Sequence, residues 1–359
     1  MNQNTTRLDN LYLNRRKYIG IVIIFKVALL VLFSSEYSTK LFQPFLHTYI
    51  TNGGNPWQYY LENNLSLDAF PYHGLMLWLL SVPAFITDLI GIENHVVSNF
   101  IFKTPLLLAD FTVFFILLKL NPRRQIRVII FYLLNPIVFY AIYIHSQLDI
   151  IPMAFLLISL YFLLKNRLLF FSIALGMALA TKLNILMVVP LLFFYLSKKH
   201  SLKDSFLYIS LSIGILTLFD VHYLFSDGFL QMVLFNSKQS LLFDSYLKIG
   251  ELKLLLPVAA MVLVYLHFFN QKKVNYDLLS FYCVILFTAA IFSIYPAPGW
   301  YVWLVPFMAM FFIQNDNLNK SFFLYCLFSS VYLVFFVCFY KSEYEDILFL
   351  GEVLNVKIE

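Results

Sequence analysis

Residues 99–118 read Asn-Phe-Ile-Phe-Lys-Thr-Pro-Leu-Leu-Leu-Ala-Asp-Phe-Thr-Val-Phe-Phe-Ile-Leu-Leu, an apolar run with one lysine and one aspartate set inside it. About 20 such residues cross the hydrocarbon core of a bilayer as a helix. Comparable runs predict helices at 18–34, 128–144, 150–164, 168–181, 183–196, 205–224, 252–269, 277–295, 300–313 and 321–340. Composition agrees: the 359 residues are 61% hydrophobic, 19% aromatic and only 13% charged, with a mean hydropathy of +0.77. Soluble domains are far more polar. With 40 Phe and 24 Tyr against 11 Gly, disordered and collagen-like classes are excluded as well. The expected fold is an all-α, polytopic transmembrane bundle of about 10–12 helices with no separate soluble domain.

Charge sets the topology. A cytoplasmic segment 1–17 would precede a bundle over 18–340, and 341–359 would form a C-terminal tail. The basic start (Arg15, Arg16, Lys17) leads into Tyr18–Ser34 without a small-residue cleavage pattern, so this stretch reads as a retained first helix. Connections 119–127, 165–167, 197–204, 270–276 and 314–320 then face the cytoplasm, which places all seven arginines and only four of the 20 acids on that side. This is the positive-inside pattern. Gly74–Ile90 is apolar enough to cross, but Pro83 and Asp88 interrupt it, and a crossing there would reverse every later loop. It reads as an amphipathic or re-entrant helix within one outer region, 35–98. The short runs 168–181 and 183–196 are expected to meet part-way, at Thr181 and Lys182.

The scattered charges make no basic face, so the formal charge of +5 does not indicate a nucleic-acid partner. Cys283, Cys326 and Cys338 sit in apolar runs without metal-ligand spacing and read as core residues. No metal and no cofactor is expected.

Polar residues at membrane depth are costly and mark pathways or sites. They concentrate on the outer side: Glu36, Gly53-Gly54-Asn55-Pro56-Trp57 and Ala69-Phe70-Pro71-Tyr72-His73 in the first region, then His145-Ser146-Gln147-Leu148-Asp149, Asn236-Ser237-Lys238-Gln239, and Tyr295 to Tyr301. Ordinary roles compete. Glu36 could be a solvated boundary acid. Asp149 could cap the helix that follows it. Trp300, Tyr301 and Trp303 could form an interfacial belt. Lys103, Lys182 and Lys238 lie on the cation-poor side and call for snorkelling or for an anion, either a carboxylate such as Asp110 or a ligand phosphate.

The order of these features resembles the GT-C integral-membrane glycosyltransferases, especially the bacterial polyprenyl-phosphate-sugar enzymes of mannosyltransferase type. Gly54-Asn55-Pro56-Trp57, Phe70 to Met76, Leu108-Ala109-Asp110, Leu134-Asn135-Pro136, His145 to Asp149, Gly176 to Leu183 and Trp300 to Pro306 carry the likeness, over about 18–310. Two features depart from it. No Asp occurs between Asp9 and Asp68, so Glu36 stands where the family has its loop aspartate, and His73-Gly74 replaces the usual Pro-Pro. The resemblance implies a bacterial inner-membrane enzyme with an extracytoplasmic site. Such an enzyme moves a hexose such as mannose, with inversion, from a polyprenyl-phosphate donor to a glycan or lipid-linked acceptor hydroxyl.

On that reading Glu36 is the general base. Lys103, Lys182 and Lys238 hold the phosphate, and His73, His145, Gln147, Asp149, Trp300 and Tyr301 contact sugar or acceptor. Two other classes compete. A transporter or flippase of lipid-linked glycans would show repeated halves with matched breaks. A glycan polymerase using lipid-pyrophosphate donors would offer outer arginines.

Overall fold

A computed structural model describes residues 15–341 and 344–349. Most of the expected segment 1–17 and of the tail 341–359 lies outside the described residues. The helices follow the apolar runs: Arg15–Leu32, His95–Leu120, Ile150–Leu164, Leu168–Leu179, Val189–Lys199, Leu202–Asp220, Leu256–Phe269, Tyr276–Phe292, Pro298–Gln314 and Leu318–Phe339. Between the second and third of these lies a pair, Gln125–Leu133 and Pro136–Ile144, bent by 40° at Leu134 and Asn135. The architecture is a helical bundle. His95–Leu120, Leu202–Asp220 and Leu318–Phe339 are long and apolar enough to cross a membrane, and the bent pair makes a fourth. Gly74–Ile90, Ile150–Leu164, Leu168–Leu179, Leu256–Phe269, Tyr276–Phe292 and Pro298–Gln314 are shorter apolar helices of the same bundle.

Each break has partners for its backbone. Asn135 ends one half of the bent pair and caps the other, its Oδ1 accepting from the amides of Ile137 (2.9 Å) and Val138 (3.4 Å), with Pro136 at the first helical position. The helix Leu168–Leu179 ends at Ala180 and Thr181, whose carbonyls accept from the amides of Leu75 (3.1 Å) and His73 (3.3 Å). The break expected at Thr181 and Lys182 is therefore present, and the chain entering the 74–90 helix closes it. Lys103, fully buried, donates to the carbonyls of Phe33 (2.9 Å) and Tyr143 (2.7 Å), where two more helices end.

Residues 35–98 carry helical turns over 37–52, Pro56–Glu62 and Gly74–Ile90. Asn55 caps the second of these through Gln58 N at 3.1 Å. Gly91, at φ 66°, ends the third. Val82, Phe85, Ile86, Leu89 and Ile90 form an exposed stripe on that helix at spacings of three and four, as expected of an amphipathic segment. The helix expected from 252 starts at Leu256 instead. Alternating Tyr246–Ile249 and Leu252–Leu255 pair as an antiparallel hairpin across Gly250 (φ 62°), and Pro257 suits the first helical turn.

Side-chain contacts sort the connections into two sets. Arg124 reaches the carbonyls of Ile313 and Gln314 and the carboxylate of Asp316 (3.1 Å), and Arg127 reaches Ile313 and Asn315. Lys198 binds the carbonyls of Phe269 (2.5 Å) and Gln271 (2.6 Å), while Lys119 and Lys165 both lie over the Tyr161 ring. The basic connections thus meet one another. Their counterparts also meet: Asn55 with Ser226, Asp68 with Asn236, His73 with Asp220, and strand Phe33–Ser35 with strand Asp346–Leu348.

The core centres on Ile150–Leu164, which packs against His95–Leu120 and Leu168–Leu179. Beside it lies a fully buried ion pair, Lys26 Nζ to Asp110 Oδ2 at 2.5 Å. The hydroxyls of Tyr132 and Tyr143 donate to the same carboxylate at 2.8 and 2.6 Å, and the ammonium lies over the Phe111, Phe139 and Tyr143 rings. Asp110, one of the two anions considered for Lys103, is thus taken by Lys26. An isolated carboxylate and ammonium could not stay charged here, and each supplies the partner the other needs.

Candidate functional site

At the end of the bundle opposite the basic connections, a cavity of about 430 Å³ opens between the 35–98 region and the helix breaks. Its apolar lining includes Leu183, Leu186, Met187, Leu242, Phe243 and Met261. Its polar lining includes Asp68, Gln147, Lys182, Asn184 and Lys238, and Trp300 lines it as well. Gln147, Lys182, Lys238 and Trp300 are thus brought together from separate parts of the sequence, as expected of one site.

Lys182 is aimed by backbone and by charge. Its extended conformation (φ −156°, ψ 136°) follows directly from the break after Leu179 and turns the side chain toward Asp149, where Nζ lies 2.5 Å from Oδ1. Trp303 Nε1 donates to the same oxygen at 2.7 Å. The ammonium also sits 5.1 Å from the Tyr72 ring centre and 5.5 Å from that of Trp303. Asp149 is fully buried and Lys182 is 15% exposed, so the charge of the pair is offered to the cavity from the lysine side. Asp149 stands at the N-cap position of the following helix, but its side chain bonds no backbone amide there, having been taken up by Lys182 and Trp303.

The tryptophans are not a lipid-facing belt. Trp303 is 5% exposed, and Trp300, which lines the cavity, stacks on it at 5.4 Å with 14° between the rings. Tyr301 turns away to pack on Phe328, Tyr332 and Phe336.

Two histidines stand behind the cavity rather than in its wall. His73 Nδ1 lies 2.5 Å from Asp220 Oδ2, both buried, and Asp220 Oδ1 accepts from Gly74 N at 2.8 Å. His145 Nδ1 lies 2.6 Å from Asp346 Oδ1, and Ser35 Oγ bonds the His145 carbonyl at 2.8 Å. These contacts fix the 74–90 helix and the strand Asp346–Leu348 against the bundle. Lys103 likewise lies off the wall, occupied with the two carbonyls already described.

Glu36 pairs with Lys40 and accepts from the amide of Glu345 at 3.3 Å. The Lys40 hydrogen bond first, and the Glu345 amide second, hold its carboxyl below the usual range. It does not line the cavity, although Tyr37 and Tyr344 beside these partners do. The carboxylate in the wall is Asp68, whose Oδ1 accepts from Asn236 Nδ2 (3.1 Å) and Ser237 Oγ (2.9 Å). Among the described residues no group of three His, Cys, Asp or Glu side chains is placed to hold a metal ion.

Sequence reasoning missed Lys26, Trp303 as an Asp149 partner, Asp220, Asp346 and Asn184. The first four are revealed only by long-range pairing. Asn184 had a local signal: it is an amide inside the apolar run 183–196. No family model matches the chain, and neither the curated proteins nor the solved structures contain a match.

Proposed function

We propose that the chain is a multi-pass membrane glycosyltransferase that moves a hexose such as mannose from a polyprenyl-phosphate donor to an acceptor hydroxyl on the extracytoplasmic side of a bacterial inner membrane. The supporting observation is the composition of one cavity. Its lining joins aliphatic side chains to two lysines, a carboxylate and the four amides of Gln147, Asn184, Asn236 and Gln239, and a ligand with an isoprenoid chain, a phosphate and a sugar asks for those groups together. The order of sequence motifs points the same way, as does the gathering of basic connections at the opposite end.

In this reading the donor chain lies along Leu183, Leu186, Met187 and Phe243, with its phosphate between Lys182 and Lys238. As the bond from the anomeric carbon to the phosphate oxygen breaks, negative charge gathers on the phosphate, and the two ammonium groups stabilise it without first reorganising. The acceptor oxygen attacks the anomeric carbon from the opposite face, which inverts the configuration, and its proton passes to a carboxylate. We assign that role to Asp68, because it is in the wall and its orientation is fixed by Asn236 and Ser237. Glu36 instead holds Lys40 and the chain at Glu345.

The test is incubation of the purified protein with a panel of polyprenyl-phosphate sugars and candidate acceptors. Donor consumption with release of polyprenyl phosphate is expected. Movement of lipid-linked sugar across vesicles without consumption would replace this reading with a transporter.

A further inference from the structure

The hairpin of Tyr246–Ile249 and Leu252–Leu255 is left uncovered by the rest of the described chain. Every residue of its two strands is exposed except Leu255, which is partly buried. A two-stranded hairpin with no packed face is marginal in water. Its register sorts the side chains into two faces. Leu247 pairs with Leu254 and Ile249 with Leu252, so four aliphatic side chains share one face, while Tyr246 pairs with Leu255 and Lys248 with Lys253 on the other.

Neither face suits water alone. The first is a contiguous apolar patch. On the second, two ammonium groups stand directly opposite each other across the strands, which is destabilising unless an anion neutralises them. Lys253 Nζ lies 4.5 Å from the centre of the Tyr246 ring, which holds it on that face. Among the described residues no carboxylate meets either lysine, that of Glu251 in the turn included.

The place of the hairpin in the fold selects its partner. It follows helix Ser237–Asp244, whose Lys238, Leu242 and Phe243 line the cavity, and the Leu256 amide closes its base by donating to the Ser245 carbonyl at 3.0 Å. From there the second strand runs straight into the apolar helix Leu256–Phe269, on which Val262, Leu263 and Leu266 are exposed. The aliphatic face thus continues into a surface that a membrane bundle turns to lipid. A bilayer surface supplies both groups the hairpin lacks, acyl chains for the aliphatic face and headgroup phosphates for the lysines. A second copy of the chain would cover the first face and leave the ammonium pair unanswered.

We propose that this hairpin is a membrane-surface anchor: it lies flat at the bilayer surface with Leu247, Ile249, Leu252 and Leu254 among the acyl chains and the phosphate of an anionic phospholipid between Lys248 and Lys253. The inference uses the membrane bundle alone and goes beyond the glycosyltransferase reading.

The experiment places an environment-sensitive fluorophore at Leu252→Cys of the full chain, with Cys283→Ala, Cys326→Ala and Cys338→Ala so that only this position is labelled. The protein is held in nanodiscs of an equimolar phosphatidylcholine and phosphatidylglycerol mixture in which one lipid or the other carries brominated acyl chains, which quench on contact. Both should quench, and brominated phosphatidylglycerol should quench at least about twofold more, because lysines at a bilayer surface attract anionic lipid. Lys248→Gln/Lys253→Gln should equalise the two lipids. Raising salt from about 0.1 M to about 1 M should reduce the preference without any change to the hairpin, and so decides the matter if the glutamine variant does not fold. Quenching by neither lipid overturns the anchor: a label that emits as in water then marks a hairpin free of the bilayer, and a shielded one marks a hairpin covered by protein. Equal quenching by the two lipids before substitution, or a preference unchanged by salt or by the glutamines, overturns phosphate binding at the lysine pair.

Discussion

Lys182 Nζ lies 2.5 Å from Asp149 Oδ1, on the edge of the cavity and across a helix break from it, while the other oxygen of Asp149 has no hydrogen-bond partner. The pair joins two functions. It holds the break in place, and it leaves a cation at the cavity with its counter-ion fully buried behind it.

Removing one partner of such a pair leaves an uncompensated charge, with a typical cost of about 3–5 kcal/mol. Lys182→Met should therefore lower the thermal unfolding midpoint in detergent strongly, and the double variant Lys182→Met/Asp149→Leu should recover much of the loss. Donor binding should fall in both, because the ammonium is absent from both. A double variant no more stable than the single one would mean that the pair does not organise this break.

The assignment of the proton acceptor has its own test. Loss of a general base typically costs about a hundred- to ten-thousand-fold in rate. Asp68→Asn should lose turnover on that scale while keeping donor affinity, and the asparagine can still accept from Asn236 and Ser237. Glu36→Gln should retain turnover within about tenfold of wild type. The reverse ranking would return the role to Glu36, where position along the chain had placed it.

Much of the helix pattern was legible in the sequence because apolar runs of fixed length carry it directly: the runs beginning at 150, 168 and 277 become Ile150–Leu164, Leu168–Leu179 and Tyr276–Phe292. The interruption at Lys182 was legible too, since a lysine between two short runs must end one of them. Pairings were not. Lys26 and Asp110 are 84 residues apart, His73 and Asp220 147, and His145 and Asp346 201. Nothing local distinguishes Lys26 from a residue that snorkels, and Lys103 looked the better partner for Asp110 because both lie on one helix. Lys103 has instead become a donor to helix-end carbonyls, a role decided by where two other helices stop.

Two glycines with opposite surroundings give a packing test. A Cβ on Gly228 would lie 2.3 Å from the Trp57 carbonyl oxygen and 2.6 Å from Gln58 N, both backbone atoms that cannot rotate aside. Gly228→Ala should cost about 1–3 kcal/mol of stability, the usual range for overpacking. Gly214 has nothing within 4 Å of that position. Gly214→Ala should stay within about 1 kcal/mol of wild type, with any change favouring the helix. Matched thermal unfolding curves of the two variants compare them directly, and equal effects would contradict the close approach of Gly228 to Trp57.

Sidedness follows from the two sets of contacting connections. Single cysteines replacing Asn63, at the end of Pro56–Glu62, and Lys203, in the first turn of Leu202–Asp220, should react with a membrane-impermeant thiol reagent from opposite faces of intact cells and inverted vesicles. Reaction of both from one face would break the arrangement on which the extracytoplasmic site depends.

Acid should release the contact that ties strand Asp346–Leu348 to the residues following helix Arg15–Leu32. Glu36 accepts from Lys40 and from the amide of Glu345, and these bonds favour its ionised form, so its folded-state carboxyl titrates below the ordinary glutamate value of about 4.3. A group depressed in this way adds stability above its unfolded value, and that contribution fades as pH falls through the folded value. Wild type should thus be more stable than Glu36→Gln at pH about 7, and the difference should disappear once the pH is well below about 4. Unfolding midpoints of both proteins across that range test the sign. A difference that grew on acidification would require a raised carboxyl, incompatible with the Lys40 and Glu345 contacts.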